Sequence, residues 1–286
     1  MTDDSRSHPF RDSTQDAAAA ERLPDTAQTR APAYRLAFTD TDFMMREELR
    51  PVRLQLELLK PQMVMDERGI RSTVVLMGSA RIREGGVREG GVREGGAAAG
   101  LMPWYAEARR LAAMITVESL KSYGREWVVV TGGGPGIMEA GNRGAADAGG
   151  QSIGLNIVLP HEQAPNPYVT PDLCFNFHYF AIRKMHFLMR ARAVCIFPGG
   201  FGTLDEMFES LTLIQTGRMK RVPFLLFGRA FWEKVVNWQA LVDEGVIGAG
   251  DLELFSFVET AEEAMAAMVG GGSGEPLGDT AAGRAI

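Results

Sequence analysis

Short apolar runs alternate along this chain with longer segments in which apolar residues recur every three or four positions. The runs 72–78, 126–130, 152–158, 173–179, 193–197, 222–227 and 255–258 read as buried strands. Helical spacing predicts helices over about 40–65, 103–123, 137–148, 180–192, from Leu204 onward, 231–243, and after Thr260. Pro103 and Gly124 bracket the second of these. Thr260-Ala261-Glu262-Glu263 is a capping-box pattern for the last. Apolar strands alternating with helices predict an α/β fold: a doubly wound, mostly parallel sheet with helices on both faces. Ligands of such sheets sit at the carboxyl ends of the strands, near a switch in strand order.

The segments outside this alternation divide the chain. Residues 1–40 are rich in Asp, Arg, Ser, Thr, Ala and Pro without periodicity and read as a disordered lead. A single domain is expected over 41–269, followed by a disordered tail, 270–286. Its first helix, 41–65, carries a stripe of Leu49, Val52, Leu56, Leu59 and Met63, read as packing on the helix's own domain in preference to an oligomer contact. Three tandem Val/Ile-Arg-Glu-Gly-Gly copies, 82–96, have a period that suits neither helix nor strand, and 82–100 is expected to be a mobile surface loop.

With 45% hydrophobic residues the chain can build a core, and its formal net charge of −6 argues against a general nucleic-acid or anionic-membrane binder. Cys174 and Cys195 both fall in apolar runs, which reads as two buried thiols in a reducing, cytoplasmic protein. No apolar run reaches the ~18 residues of a membrane span. His161, His178 and His186 lack metal-ligand spacing.

Two glycine loops follow strands. Gly132-Gly133-Gly134-Pro135-Gly136 misses the dinucleotide pattern, because position 137 is Ile, and lacks the Gly-Lys-Ser/Thr of a P-loop. Pro198-Gly199-Gly200-Phe201-Gly202-Thr203-Leu204-Asp205-Glu206 leads from a strand into a helix. Unpaired backbone N–H groups and a helix dipole meet there, an arrangement suited to an anion. Thr203-x-x-Glu206 is also a capping box, so Glu206 reads either as a cap or as a carboxylate beside a bound phosphate. Arg183 and Lys184, at the start of the preceding helix, oppose its dipole unless an anion offsets them; a solvated pair is the other reading.

Taken in order, Gly132-Gly133-Gly134-Pro135-Gly136-Ile137-Met138, then Arg183-Lys184, then the Pro198–Glu206 stretch, resemble the Lonely Guy family, Rossmann-like cytokinin riboside 5′-monophosphate phosphoribohydrolases long mislabelled as lysine decarboxylases. The resemblance covers roughly 70–260, and the lead and the repeat segment set the chain with the longer bacterial branch. It implies cleavage of a nucleoside 5′-monophosphate, AMP or a cytokinin nucleotide, to free base and ribose 5-phosphate, with no cofactor or metal. It implies Arg183 and Glu206 as the catalytic pair. Phosphate binding falls to Gly199, Gly200, Gly202 and Thr203. Gly132, Gly133, Gly134, Gly136, Met138 and Lys184, with Ser79 and Arg81 after the first strand, would touch substrate. At least a homodimer is implied. A non-catalytic carrier of the same architecture, resembling molybdenum-cofactor carriers, is the alternative.

Overall fold

A computed structural model describes residues 12–84, 86–87, 101, 103–159 and 164–270. Contacts divide the chain into two units, Met1–Glu57 and Leu58–Ile286.

The first unit holds α1 (Ser13–Ala20), within the lead expected to lack structure, and α2 (Thr41–Met44). Asp12 and Asp40 cap them, accepting from the N–H groups of Gln15 and Phe43, and no residue of either helix is buried. The long helix α3 (Arg50–Glu67) begins at Arg50 instead of the expected residue 41 and crosses the division. Pro51 falls in its first turn, where a missing N–H costs nothing. The expected stripe is not what α3 buries: Val52, Leu56, Leu59 and Met63 are exposed, whereas Pro61 and Met65 are buried.

The second unit is a seven-stranded parallel sheet. Its strands are β1 (Thr73–Met77), β4 (Val128–Thr131), β5 (Ser152–Ile157), β6 (Cys174–Phe177), β7 (Ala191–Ile196), β8 (Phe224–Phe227) and β9 (Ser256–Val258). They lie in the order β6-β5-β4-β1-β7-β8-β9. The chain builds outward from the central β1 through β4, β5 and β6, then crosses back to place β7 on the other side of β1 and continues to β8 and β9. The switch in strand order therefore lies at β1, between β4 and β7. Every predicted strand is present, displaced by a residue or two at its ends.

Because side chains alternate along a strand, β1 feeds two cores. Val74 and Leu76 join α4 (Pro103–Leu120), α5 (Ile137–Asp147) and α10 (Ala261–Gly270). Val75 and Met77 join Phe187 of α6 (Phe180–Leu188), Met207 and Leu211 of α7 (Phe201–Gln215) and Trp232 of α8 (Arg229–Val235). Small residues let α5 lie close to its neighbours. Gly141 lies against Leu76 and Thr131 of the sheet, and Gly144 against the Arg109 carbonyl of α4.

Several local expectations change. The helix expected over 231–243 is two, α8 and α9 (Trp238–Asp243), because Val236 is extended and Asn237 starts a new cap by accepting from the Ala240 N–H. α6 stops at Leu188 because β7 begins at Ala191. At α10, Thr260 accepts from the Glu263 N–H as expected, but the Glu263 carboxylate reaches the Glu259 N–H. Cys195 is buried and Cys174 only half-buried, its Sγ accepting from Asn156 Nδ2 at 3.3 Å. The first repeat copy opens a small antiparallel hairpin, β2 (Ile82–Arg83) with β3 (Gly86–Val87), and Glu84 at its turn pairs with Arg109 and Arg143. The rest of the repeat segment and 271–286 lie outside the described residues. No helix among the described residues is long and apolar enough to cross a membrane.

Candidate active site

The turns that follow β1, β4 and β7 converge at the switch point. The turn after β1 is tied to its neighbours by backbone bonds. The Ser79 N–H donates to the Pro198 carbonyl at 3.1 Å, and the Ile137 N–H donates to the Ser79 carbonyl at 3.1 Å. Gly136, in the left-handed region at φ 72°, lets the chain pass directly over the Ser79 carbonyl and Ala80, where a Cβ would collide. A cavity of about 810 Å³ opens between these turns. This falls within the range of small-molecule sites.

On one side of the cavity lies the start of α7. The helix begins at Phe201 with Gly200 as its cap and no side-chain cap bond, so its first backbone N–H groups are left to whatever occupies the turn. A Cβ on Gly200 or Gly202 would meet nothing within 4 Å, and Phe201 is 92% exposed. The capping-box reading of Thr203 and Glu206 does not hold. The helix starts two residues before Thr203, which puts Glu206 in the second turn, and its carboxylate bonds no backbone group of the helix end.

Glu206 instead accepts from Arg183 Nη1 at 2.9 Å, with both side chains largely buried. Arg183 also donates from Nε to the Leu155 carbonyl at 2.7 Å and lies over the Phe187 ring, 5.0 Å from its centre. Its other Nη rests against Gly132, where a Cβ would come within 2.6 Å. Glycine at 132 is thus what lets the guanidinium reach the pair. Burial pushes the Glu206 carboxyl above its ordinary value, and the guanidinium beside it partly opposes that rise. Burial likewise lowers Arg183, against the pull of Glu206. A desolvated ion pair in the wall of a cavity is an unusual structural device. Such pairs add little stability, and perturbed titration in a cleft is a mark of functional sites.

The cavity is lined by Ser79, Arg81, Gly132, Met138, Arg183 and Glu206, together with Gly199–Leu204. Gly133, Gly134 and Gly136 are not in its lining; they shape the turn behind it. Lys184 is not in the lining either. It bridges Asp205 and Glu209 of α7 at 2.8 and 2.7 Å, clamping α6 to α7. Burial opposes its charge, and its bonds to the two carboxylates outweigh this and raise its pKa. Phe187, Phe231 and Val235 also line the cavity, an apolar contribution the sequence reading missed. Helical spacing gives no local sign that distinguishes a residue facing a cavity from one facing a sheet.

The fold and site together define an α/β protein with a glycine-rich, uncapped helix start and a buried carboxylate–guanidinium pair at the switch point of a parallel sheet. Residues 138–268 match the family model described as "Possible lysine decarboxylase". The cytokinin riboside 5′-monophosphate phosphoribohydrolase LOG of Oryza sativa is 28% identical over 48% of this chain and 56% of its own. The cytokinin riboside 5′-monophosphate phosphoribohydrolase of Mycobacterium tuberculosis is 26% identical over 58% of this chain and 87% of its own. A bifunctional cytokinin biosynthesis protein of Fusarium pseudograminearum is 42% identical, over 22% of this chain and 13% of its own. The chain thus spans about half the length of the rice relative and a small part of the fungal one. Among solved structures, the molybdenum cofactor binding protein of Rippkaea orientalis aligns with a TM-score of 0.46 at 18% identity, over 70% of this chain and 96% of that one. These sequence matches, like the motifs quoted above, are to proteins of the Lonely Guy type.

Proposed function

We propose that the protein hydrolyses the N-glycosidic bond of a nucleoside 5′-monophosphate, AMP or a cytokinin riboside monophosphate, releasing free base and ribose 5-phosphate. The observation that carries this reading is the buried Arg183–Glu206 pair sharing one cavity with the bare N-terminus of α7. The 5′-phosphate takes the Gly199–Thr203 turn, where helix N–H groups and the dipole receive it. Ribose then extends toward Glu206. As the bond from C1′ to the base nitrogen breaks, the sugar gains oxocarbenium character, which a carboxylate stabilises while orienting water toward C1′. The bond's electron pair leaves with the base, which takes up a proton, and water supplies the new hydroxyl.

In this reading Arg183 acts through Glu206, keeping it ionised and aimed. Two of its donor nitrogens are already committed, to Leu155 and Glu206, so it is not the principal phosphate ligand. Phosphate binding distant from the reacting bond supplies binding energy for positioning the sugar, so nucleosides without the phosphate are poor substrates. The protein works in the cytoplasm as a homodimer or larger homo-oligomer, without a cofactor. The test is release of ribose 5-phosphate from a panel of nucleoside monophosphates, with Glu206→Ala as control. AMP bound and recovered intact by the wild-type protein would replace this reading with that of a carrier.

A further inference from the structure

Behind the Gly132–Gly134 turn lies a polar cluster that no part of the proposed chemistry uses. Asn142 of α5 is fully buried, as is Thr131 at the end of β4, and Asn166, from the connection between β5 and β6, is 7% exposed. Asn166 Nδ2 lies 3.0 Å from both the Gly133 and Gly134 carbonyls and 2.9 Å from Asn142 Oδ1. The Asn166 backbone N–H also donates to the Gly133 carbonyl, at 2.9 Å. Thr131 Oγ1 donates to Asn142 Oδ1 at 2.7 Å and accepts from the Gly133 N–H at 3.0 Å. Asn142 Nδ2 donates to Ser152 Oγ at 3.0 Å, anchoring the cluster on β5.

The end of β4, helix α5 and the connection between β5 and β6 thus spend buried amide and hydroxyl groups on one glycine turn. Two effects follow from the geometry. The Gly133 and Gly134 carbonyls are tied to Asn166, which keeps these negative dipole ends from turning toward an anionic ligand. The position of Gly132 is also fixed, and Gly132 is the backbone against which the Arg183 guanidinium rests.

We infer that Thr131, Asn142 and Asn166 form a positioning lock that holds the glycine turn in its nucleotide-receiving shape before substrate arrives. This rests on the proposed function for its substrate, but the lock is measurable without it. Asn166→Ala and the near-isosteric Thr131→Val each break one face of the lock, and Thr131→Ser keeps the hydroxyl. Hydrogen exchange of the peptide spanning 131–137 in the free, full-length protein is expected to accelerate at least about tenfold in the first two variants, the size of one lost buried hydrogen bond, and to stay at the wild-type rate in Thr131→Ser. The KM for AMP is expected to rise about tenfold with kcat changed less than about threefold, since the contact prepared is one of ground-state binding. Unchanged exchange in Thr131→Val and Asn166→Ala, or equal acceleration in Thr131→Ser, overturns the lock. If the wild-type protein releases no ribose 5-phosphate from any nucleotide, the proposed function falls while the exchange result still decides the lock. Asn142→Ala, at the centre of the cluster, is the variant most exposed to misfolding and is left out of the test.

Discussion

The two glycine turns at the switch point are built in opposite ways. The turn after β4 is gripped from behind by Thr131, Asn142 and Asn166, and Gly133 stands in the left-handed region with Asn156 against the place a Cβ would take. The turn after β7 has no side-chain cap, and open space surrounds Gly200 and Gly202. A gripped turn makes a fixed frame; an uncapped helix start leaves donors for a ligand. The site thus separates holding from receiving, with the Arg183–Glu206 pair between the two. In the proposed reaction, preorganisation of this kind would spare the protein a reorganisation in the transition state.

The sharpest break in that comparison comes at the pair itself. Glu206→Ala is expected to lower kcat for nucleotide hydrolysis by about 10²–10⁴, the usual worth of a positioned carboxylate, with the circular dichroism spectrum retained. Turnover near wild type would remove Glu206 from the chemistry.

Next in size is the difference between the two turns as frames. Gly133→Ala forces a left-handed backbone on alanine and drives its methyl into Asn156, so it is expected to cost about 2–4 kcal/mol in chemical denaturation. Gly200→Ala meets no atom and has an ordinary extended backbone, so its stability cost is expected to stay within about 0.5 kcal/mol. Equal costs would mean that the turns are framed alike.

The pH dependence sharpens the picture of the pair. Because burial raises the Glu206 carboxyl above its ordinary 4.5, the group takes up its proton at higher pH than a solvated carboxylate. A reaction that needs the carboxylate therefore loses rate as pH falls through that raised value. The acid limb of kcat/KM should lie above 4.5 once corrected for the substrate phosphate, whose own second ionisation is near ~6. For stability the sign reverses. The folded state holds this proton more tightly than the unfolded chain, so the contribution is fully present below 4.5 and is lost as pH rises through the folded value. An acid limb at or below 4.5 would place Glu206 in a solvated setting.

The smallest effect concerns Lys184. Its partners Asp205 and Glu209 have side chains 55% and 40% exposed, so Lys184→Met is expected to change stability by less than about 1 kcal/mol. A much larger loss of nucleotide affinity would return this lysine to the substrate.

Much of this architecture was legible in the residues. Apolar runs marked the strands because the inner strands of a parallel sheet are covered on both faces; β1, β4 and β8 are buried at every position. The glycine turn after β4 was legible because glycine readily adopts the positive φ of Gly133 and Gly136 and allows the close approach at Gly132. The stripe on α3 misled because helical spacing reports amphipathicity and not which face is covered; Leu59 and Met63 stay exposed while Met65 is buried. The Thr203–Glu206 box misled for a related reason. A capping pattern specifies a cap only if the helix starts there, and this one starts at Phe201.

What the sequence by itself determined is therefore the alternation of strands and helices and the positions of the bare backbone turns, features set by neighbours a few residues apart. Only the tertiary structure decided what holds the pair and the turn: Arg183 with the Leu155 carbonyl, Asn166 with the Gly133 and Gly134 carbonyls. Those bonds form because the sheet order brings β4, β5 and β7 and the segments after them around one point. Hydrogen bonds between residues far apart in the chain leave no periodicity to read.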